Sequence, residues 1–196
     1  MQRRDFMVQS TAALALGGLA LAGCTTTTNK GDQKTAGDTD ERRSIDADVD
    51  ATIQRLYATV RGSQELVAKS RGILVFPSVI QAGFVIGAQY GKGSLRVSGA
   101  TVGYYSTTSA SFGFQAGAQS KALIFLFMTQ EALDKLRNTD GWSAGVDASV
   151  ALVKVGANGA IDSTTATAPV EAFVLTNAGL MADVSLAGTK VSPLKI

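Results

Sequence analysis

The chain has no histidine and a single cysteine, Cys24. Without histidine there is no Ser-His-Asp triad, no imidazole metal ligand and no general base of the commonest kind, so most hydrolase chemistries fall away. One cysteine forbids an intramolecular disulfide. Proline is scarce, 3 residues against 21 glycines, a balance that favours turns and closely packed strands over a helical bundle. A cationic excess is missing too: 18 Lys+Arg face 16 Asp+Glu, and no basic field supports nucleic-acid binding. What remains, at 196 residues, is enough for one domain around one good core.

The N-terminus carries the most specific signal. Arg3 and Arg4 precede a mild apolar run, Ala12 to Ala22, too brief to span a bilayer as a stable helix. Residues 1–23 therefore read as an export signal. Arg3-Arg4-x-Phe6-Met7, with Gly17 and Gly18 interrupting the apolar run, fits the twin-arginine pattern; an ordinary Sec signal with two arginines is the other reading. Leu21-Ala22-Gly23-Cys24 places small residues directly before the cysteine, as a lipobox does, and makes Cys24 the expected site of lipidation and membrane anchoring. Three acyl chains, at about 0.8 kcal/mol per buried methylene, hold essentially permanently. Thr25 after the cysteine, rather than Asp, favours the outer membrane over the inner by enteric sorting rules. The expected location is the bacterial cell envelope, facing the periplasm.

Residues 24–43 are polar and nearly free of large apolar side chains, which predicts a flexible tether, with the domain proper at 44–196. Ser44 reads as a helix cap, Asp46 and Asp48 as first-turn anions, and Ile45, Val49, Ile53, Leu56 and Val60 as one helical stripe. Gly62-Ser63 ends that helix and a short second one leads to Arg71-Gly72. Ile73 to Phe76 predicts a buried strand stopped by Pro77. Gly83-Phe-Val-Ile-Gly-Ala-Gln89 and Gly113-Phe-Gln-Ala-Gly-Ala-Gln119 repeat one pattern in which glycines share a strand face, predicting bends or close backbone approaches. Further strands are expected at Ala122–Met128, Ala148–Val155, Val170–Thr176 and Leu180–Leu186, with a short helix, Gln130–Arg137, capped by Thr129. The fold class is α+β: a strongly curved, mainly antiparallel, glycine-rich sheet of barrel-like form with the N-terminal helices packed on it.

Chemical motifs are few. Gly87-Ala-Gln-Tyr-Gly-Lys-Gly93 imitates a phosphate loop, but its spacing is one residue short and Gly93 stands where a magnesium-binding hydroxyl belongs, so a hairpin turn is the better reading. Asp46, Asp48 and Asp50 imitate a calcium loop, yet Ala51 replaces its glycine and Tyr57 its last acidic ligand. Nothing in the spacing of Asp147 and Glu171 requires them to meet. No catalytic residue, metal site or cofactor is implied.

Arg71-Gly-Ile-Leu-Val-Phe-Pro77, Gly83-Phe84, Gly91-Lys-Gly93, Tyr105-Ser106, Gly113-x-Gln115-x-Gly-Ala-Gln119 and Gly145-x-Asp147-Ala-Ser-Val150 together resemble the SYLF domain family, from about Ile45 to Leu186. The resemblance implies a lipid-binding domain, because eukaryotic members bind phosphoinositide membranes and some bind actin. Their basic, amphipathic N-terminal segments have no counterpart here, where a lipobox and an acidic-leaning helix stand instead. An envelope protein also meets neither phosphoinositides nor actin. The expected function is therefore a membrane-anchored lipoprotein, not an enzyme, that binds anionic phospholipid; the alternative is a module docking another envelope protein. A hydrolase without histidine is a third, weaker reading. Lys69, Arg71, Lys92 and Arg96 are the candidate lipid-phosphate donors, against the plain reading of solvated surface charges. Trp142, Tyr90, Tyr104 and Tyr105 could line an apolar site, although aromatics beside such strands are more often core.

Overall fold

The computed structural model describes residues 30–83, 86–112, 119–155, 161, 168–181 and 185–196. The export signal, the lipobox and Cys24 lie outside the described residues, as do Phe84, the second copy of the glycine repeat at 113–118 and the Asn158-Gly159 turn.

Helix α1 (Lys30–Thr59) leads into α2 (Ser63–Lys69). The stripe expected from Ile45 to Val60 is the buried one: Ile45, Val49, Leu56 and Val60 are closed to solvent, with Thr52 between them. Gly62, at φ 85°, makes the corner, and the buried Ser63 hydroxyl donates to the Val60 carbonyl at 2.7 Å, satisfying the end of α1. The helix begins at Lys30 and not at Ser44, so the expected tether is helical over most of its length and Ser44 is no cap. Half of residues 30–43 are good helix formers, Lys, Gln, Ala, Glu and Arg, and side-chain contacts from Glu41 and Arg42 fasten the segment to the rest of the fold against the weaker propensity of its Gly, Asp and Thr. Polarity alone did not make it disordered.

The strands are β1 (Gly72–Gly83), β2 (Ile86–Val97), β3 (Ala100–Phe112), β4 (Gln119–Phe127), β5 (Trp142–Ser143), β6 (Val150–Leu152), β7 (Val170–Thr176), β8 (Gly179–Leu180) and β9 (Lys190–Pro193), with α3 (Gln130–Arg137) between β4 and β5. They form one sheet in the order β5-β9-β3-β2-β1-β4-β7-β6, with β8 paired to β7, curled into a half-barrel that does not close. Pairing is antiparallel except for β6 beside β7, which is parallel. Leu180 to Leu186 is not one strand, since β8 ends at Leu180.

Two findings correct the reading of the first strands. Pro77 does not stop β1; the strand continues through it, and the register slips between Val75 and Ser78 on one side and between Phe76 and Val79 on the other. A residue without an N–H fits a central strand at such a bulge. The Gly87–Gly93 segment is not a turn but the middle of β2. Its glycines accept the bulge: a Cβ on Gly93 would stand 1.9 Å from the Val75 carbonyl oxygen, and one on Gly91 2.8 Å from that of Ser78. The hairpin comes later, at Ser98 (φ 51°) and Gly99 (φ 82°), a two-residue turn with both central residues left-handed.

The sheet is packed on both faces. Leu74, Phe76, Leu95, Phe125, Phe127, Val170 and Val174 face α3 and Trp142; Ile73, Val75, Ile124, Leu126, Phe173 and Leu175 face α1 and α2. Alternation along β4 and β7 serves both layers, which is why these strands read as continuous apolar runs. Thr129 caps α3, accepting from the Ala132 amide at 3.3 Å.

Candidate functional site

The polar groups of interest lie where α1 crosses β2 and β3. Side chains alternate along β2, so Tyr90, Lys92, Ser94 and Arg96 share the face toward α1. On the helix, Glu41, Asp46 and Asp50 look back at them. The Glu41 carboxylate pairs with Lys92 and, by accepting its hydrogen bond, raises the lysine pKa. Arg96 is mostly buried; its guanidinium reaches Asp50 at 2.8 Å and Asp46 at 3.4 Å, and also donates to the Asp46 carbonyl at 3.3 Å. Helix spacing of one turn brings both aspartates to one arginine.

Asp46 is the hub. Its carboxylate accepts from Ser94 Oγ at 3.1 Å, Thr101 Oγ1 at 2.9 Å and Tyr104 Oη at 2.8 Å. Burial first, then the bond to Asp46, pushes the Tyr104 phenol pKa up. Arg42 lies over the Tyr104 ring, 5.9 Å from its centre, and its guanidinium also meets the carbonyl of Ile196.

A cleft of about 610 Å³ opens beside this crossing, lined by Asp50, Ile53, Tyr57, Val67, Arg71, Arg96 and the Ser98-Gly99 turn, among others. Of the four candidate cations it brings two together, Arg71 and Arg96. The exposed Arg71 side chain has no hydrogen-bond or ion-pair partner among the described residues, while Arg96 Nε is buried and unbonded although its terminal nitrogen is engaged. Lys92 lines a separate groove of about 380 Å³ with Ile80 and Tyr90. Lys69 stands apart on α2, paired with Glu65 at 2.8 Å; both are exposed, and the lysine's hydrogen bond lowers the glutamate pKa.

The aromatic candidates divide likewise. Trp142 and Tyr105 are core. Tyr104 belongs to the Asp46 hub. Tyr90 is 46% exposed and sits in register with Ile80, 53% exposed, leaving an apolar pair on the outer sheet surface. Asp147 and Glu171 do not meet: Asp147 accepts from the Ser143 amide at 2.7 Å, whereas Glu171, second residue of β7, is buried with both carboxylate oxygens unbonded and its pKa raised by desolvation.

Sequence reasoning named Arg96 and Lys92 but missed Ser94, Thr101 and Tyr104 as partners of Asp46. The available signal was Lys92-x-Ser94-x-Arg96, a polar face on an otherwise glycine-rich strand. Among the described residues no group of three or more Cys, Asp or Glu is placed to hold a metal, and no helix is long and apolar enough to cross a membrane.

Comparison with known families supports the resemblance drawn from the motifs. Residues 108–195 match the model of a family described as Ysc84: Las17-binding protein actin regulator. The match runs from within β3 to the end of the sheet and includes α3, Trp142 and Glu171, while α1 and all four candidate cations precede it. No curated protein matches the chain.

Proposed function

With the SYLF domain family supported over residues 108–195, we propose that this chain is an envelope lipoprotein whose domain binds anionic phospholipid through the cleft that holds Arg71 and Arg96. The observation that carries this reading is the Arg71 guanidinium, without a partner among the described residues, lining the same cleft as Arg96, with Ile53, Tyr57 and Val67 as apolar wall. Two planar, always-charged donors beside an apolar surface suit a phosphodiester and the first methylenes of its chains. Lipidation of Cys24 would supply the anchor.

The test is co-sedimentation of the Cys24→Ser chain, which cannot be acylated, with neutral and anionic phospholipid vesicles at low and moderate salt. The expected result is binding to anionic vesicles alone, weakened by salt, and reduced about fivefold by Arg71→Ala on the estimate of about 1 kcal/mol per surface cation. Absence of binding to every vesicle overturns the proposal. The second reading, docking of an envelope protein, is favoured by the exposed Ile80 and Tyr90 pair and takes first place in that event.

A further inference from the structure

Three hydroxyl donors of the sheet hydrogen-bond one carboxylate that the sheet does not own, and a guanidinium of the same sheet ion-pairs with it. Ser94 and Arg96 come from β2, Thr101 and Tyr104 from β3, and the acceptor, Asp46, comes from α1. Each of the three hydroxyls donates to Asp46, and among the described residues none has a second hydrogen-bond acceptor. Arg96 Nε remains buried and unbonded beside them, one donor more than the carboxylate uses. A cradle of three hydroxyls and a guanidinium has the donor count and charge of a site for a tetrahedral oxyanion, whose oxygens offer more acceptors than the two of a carboxylate.

The way α1 is held fits a removable occupant. C-terminal to Asp46, the helix is seated by Val49, Leu56 and Val60, all closed to solvent. N-terminal to it, over residues 37–45, only Ile45 is buried; polar contacts there include Glu41 to Lys92, and Arg42 to Tyr104 and Ile196. Such partly exposed pairs contribute little individually and weaken with salt.

We propose that α1 up to and including Asp46 is a strap whose Asp46 carboxylate occupies a phosphate site as an internal ligand, and that the site, formed by Ser94, Arg96, Thr101 and Tyr104, receives a phosphate group when the strap lifts. The inference rests on the lipid reading only for the source of the phosphate, a lipid head group or the free ion. Because Asp46 and an incoming phosphate exclude one another, anything that binds the open site shifts α1 toward release by its differential affinity for that state.

The experiment compares the Cys24→Ser chain with its Asp46→Ala, Asp46→Asn and Asp48→Ala variants by calorimetric titration with inorganic phosphate and by sedimentation with phosphatidic acid vesicles. Asp46→Ala is expected to bind at least tenfold tighter than the parent, with Asp46→Asn intermediate, and the gain is lost when Thr101→Val and Tyr104→Phe are added. Gain for both ligands identifies a general phosphate site; gain for vesicles alone identifies the head group. Asp48 is an exposed carboxylate on the same helix outside the cradle, so an equal gain from Asp48→Ala reduces the effect to net charge and overturns the proposal. A folded Asp46→Ala chain with no gain overturns it as well. Should Asp46→Ala and Asp46→Asn both fail to fold, hydrogen exchange of the parent decides: amides of residues 41–46 must exchange faster on saturating anionic vesicles, and unchanged exchange sinks the strap. Vesicle binding by the parent that depends on Arg71 but shows none of these effects leaves the lipid reading standing and removes this one.

Discussion

The Phe125 and Trp142 rings meet edge to face with their centres 5.7 Å apart, joining the middle of the sheet to a two-residue strand at its end. Phe127 also meets the indole edge to face, its ring centre 5.8 Å away. Trp142 is fully buried and is the chain's only tryptophan, so its fluorescence reports this core directly. Trp142→Ala is expected to cost about 3 to 5 kcal/mol in urea unfolding followed by circular dichroism. Phe125→Leu, followed by the emission of Trp142, is expected to unfold earlier with one transition by both probes, since the two residues share one core.

Glycines at different places should respond oppositely to a methyl group. Gly93→Ala drives a Cβ into the Val75 carbonyl, backbone against backbone, and is expected to abolish cooperative folding or lower the melting temperature severely. Gly37→Ala meets nothing within 4 Å in the exposed first half of α1 and is expected to stabilise that helix by about 0.5 to 1 kcal/mol. Circular dichroism melts of the two variants check both signs.

Glu171 sets a pH dependence. Desolvation raises its folded pKa above the unfolded one, so the folded state favours the neutral acid. Its contribution is therefore complete below the unfolded pKa, near 4.5, and is lost as pH rises through the folded value. Unfolding midpoints measured from pH 4 to 8 should fall more steeply for the parent than for Glu171→Gln. Glu171→Leu, which removes the unpartnered carboxylate from among Phe173, Leu175 and the helices, should gain about 1 to 3 kcal/mol at neutral pH.

Lys69 provides the contrast to Arg71. Its partner Glu65 and its own side chain are exposed, and it does not line the cleft. Lys69→Ala is expected to leave both the unfolding midpoint and vesicle affinity unchanged in the assays that detect Arg71→Ala. An equal loss from both variants would locate the lipid contact on α2 rather than in the cleft.

The parts of this fold that follow local rules could be read from the residues. The Thr129 cap and α3, β7 from Val170 to Thr176, and the Ile45 to Val60 stripe all appear where periodicity and capping chemistry put them. What depended on distant partners could not. Nothing local says that Pro77 rides on a bulge, because the bulge is a relation to β2 and β4; nothing local marks β9, whose four residues gain their strand character from β3 and β5. The start of α1 was missed because its polar first half is fastened by residues far along the chain, Lys92, Tyr104 and Ile196. The site followed the same division: Arg96 and Lys92 stood out as cations, but that Asp46, fifty positions earlier than Arg96, answers to four donors on two strands is a product of the fold.

Strand β5 is joined to the sheet through β9 alone, and β9 is the last strand in the chain. Seen as a sequence of pairings rather than as a finished sheet, this makes β9 a keystone: until it docks on β3, the strand bearing Trp142 has no partner strand and the edge of β3 stays open.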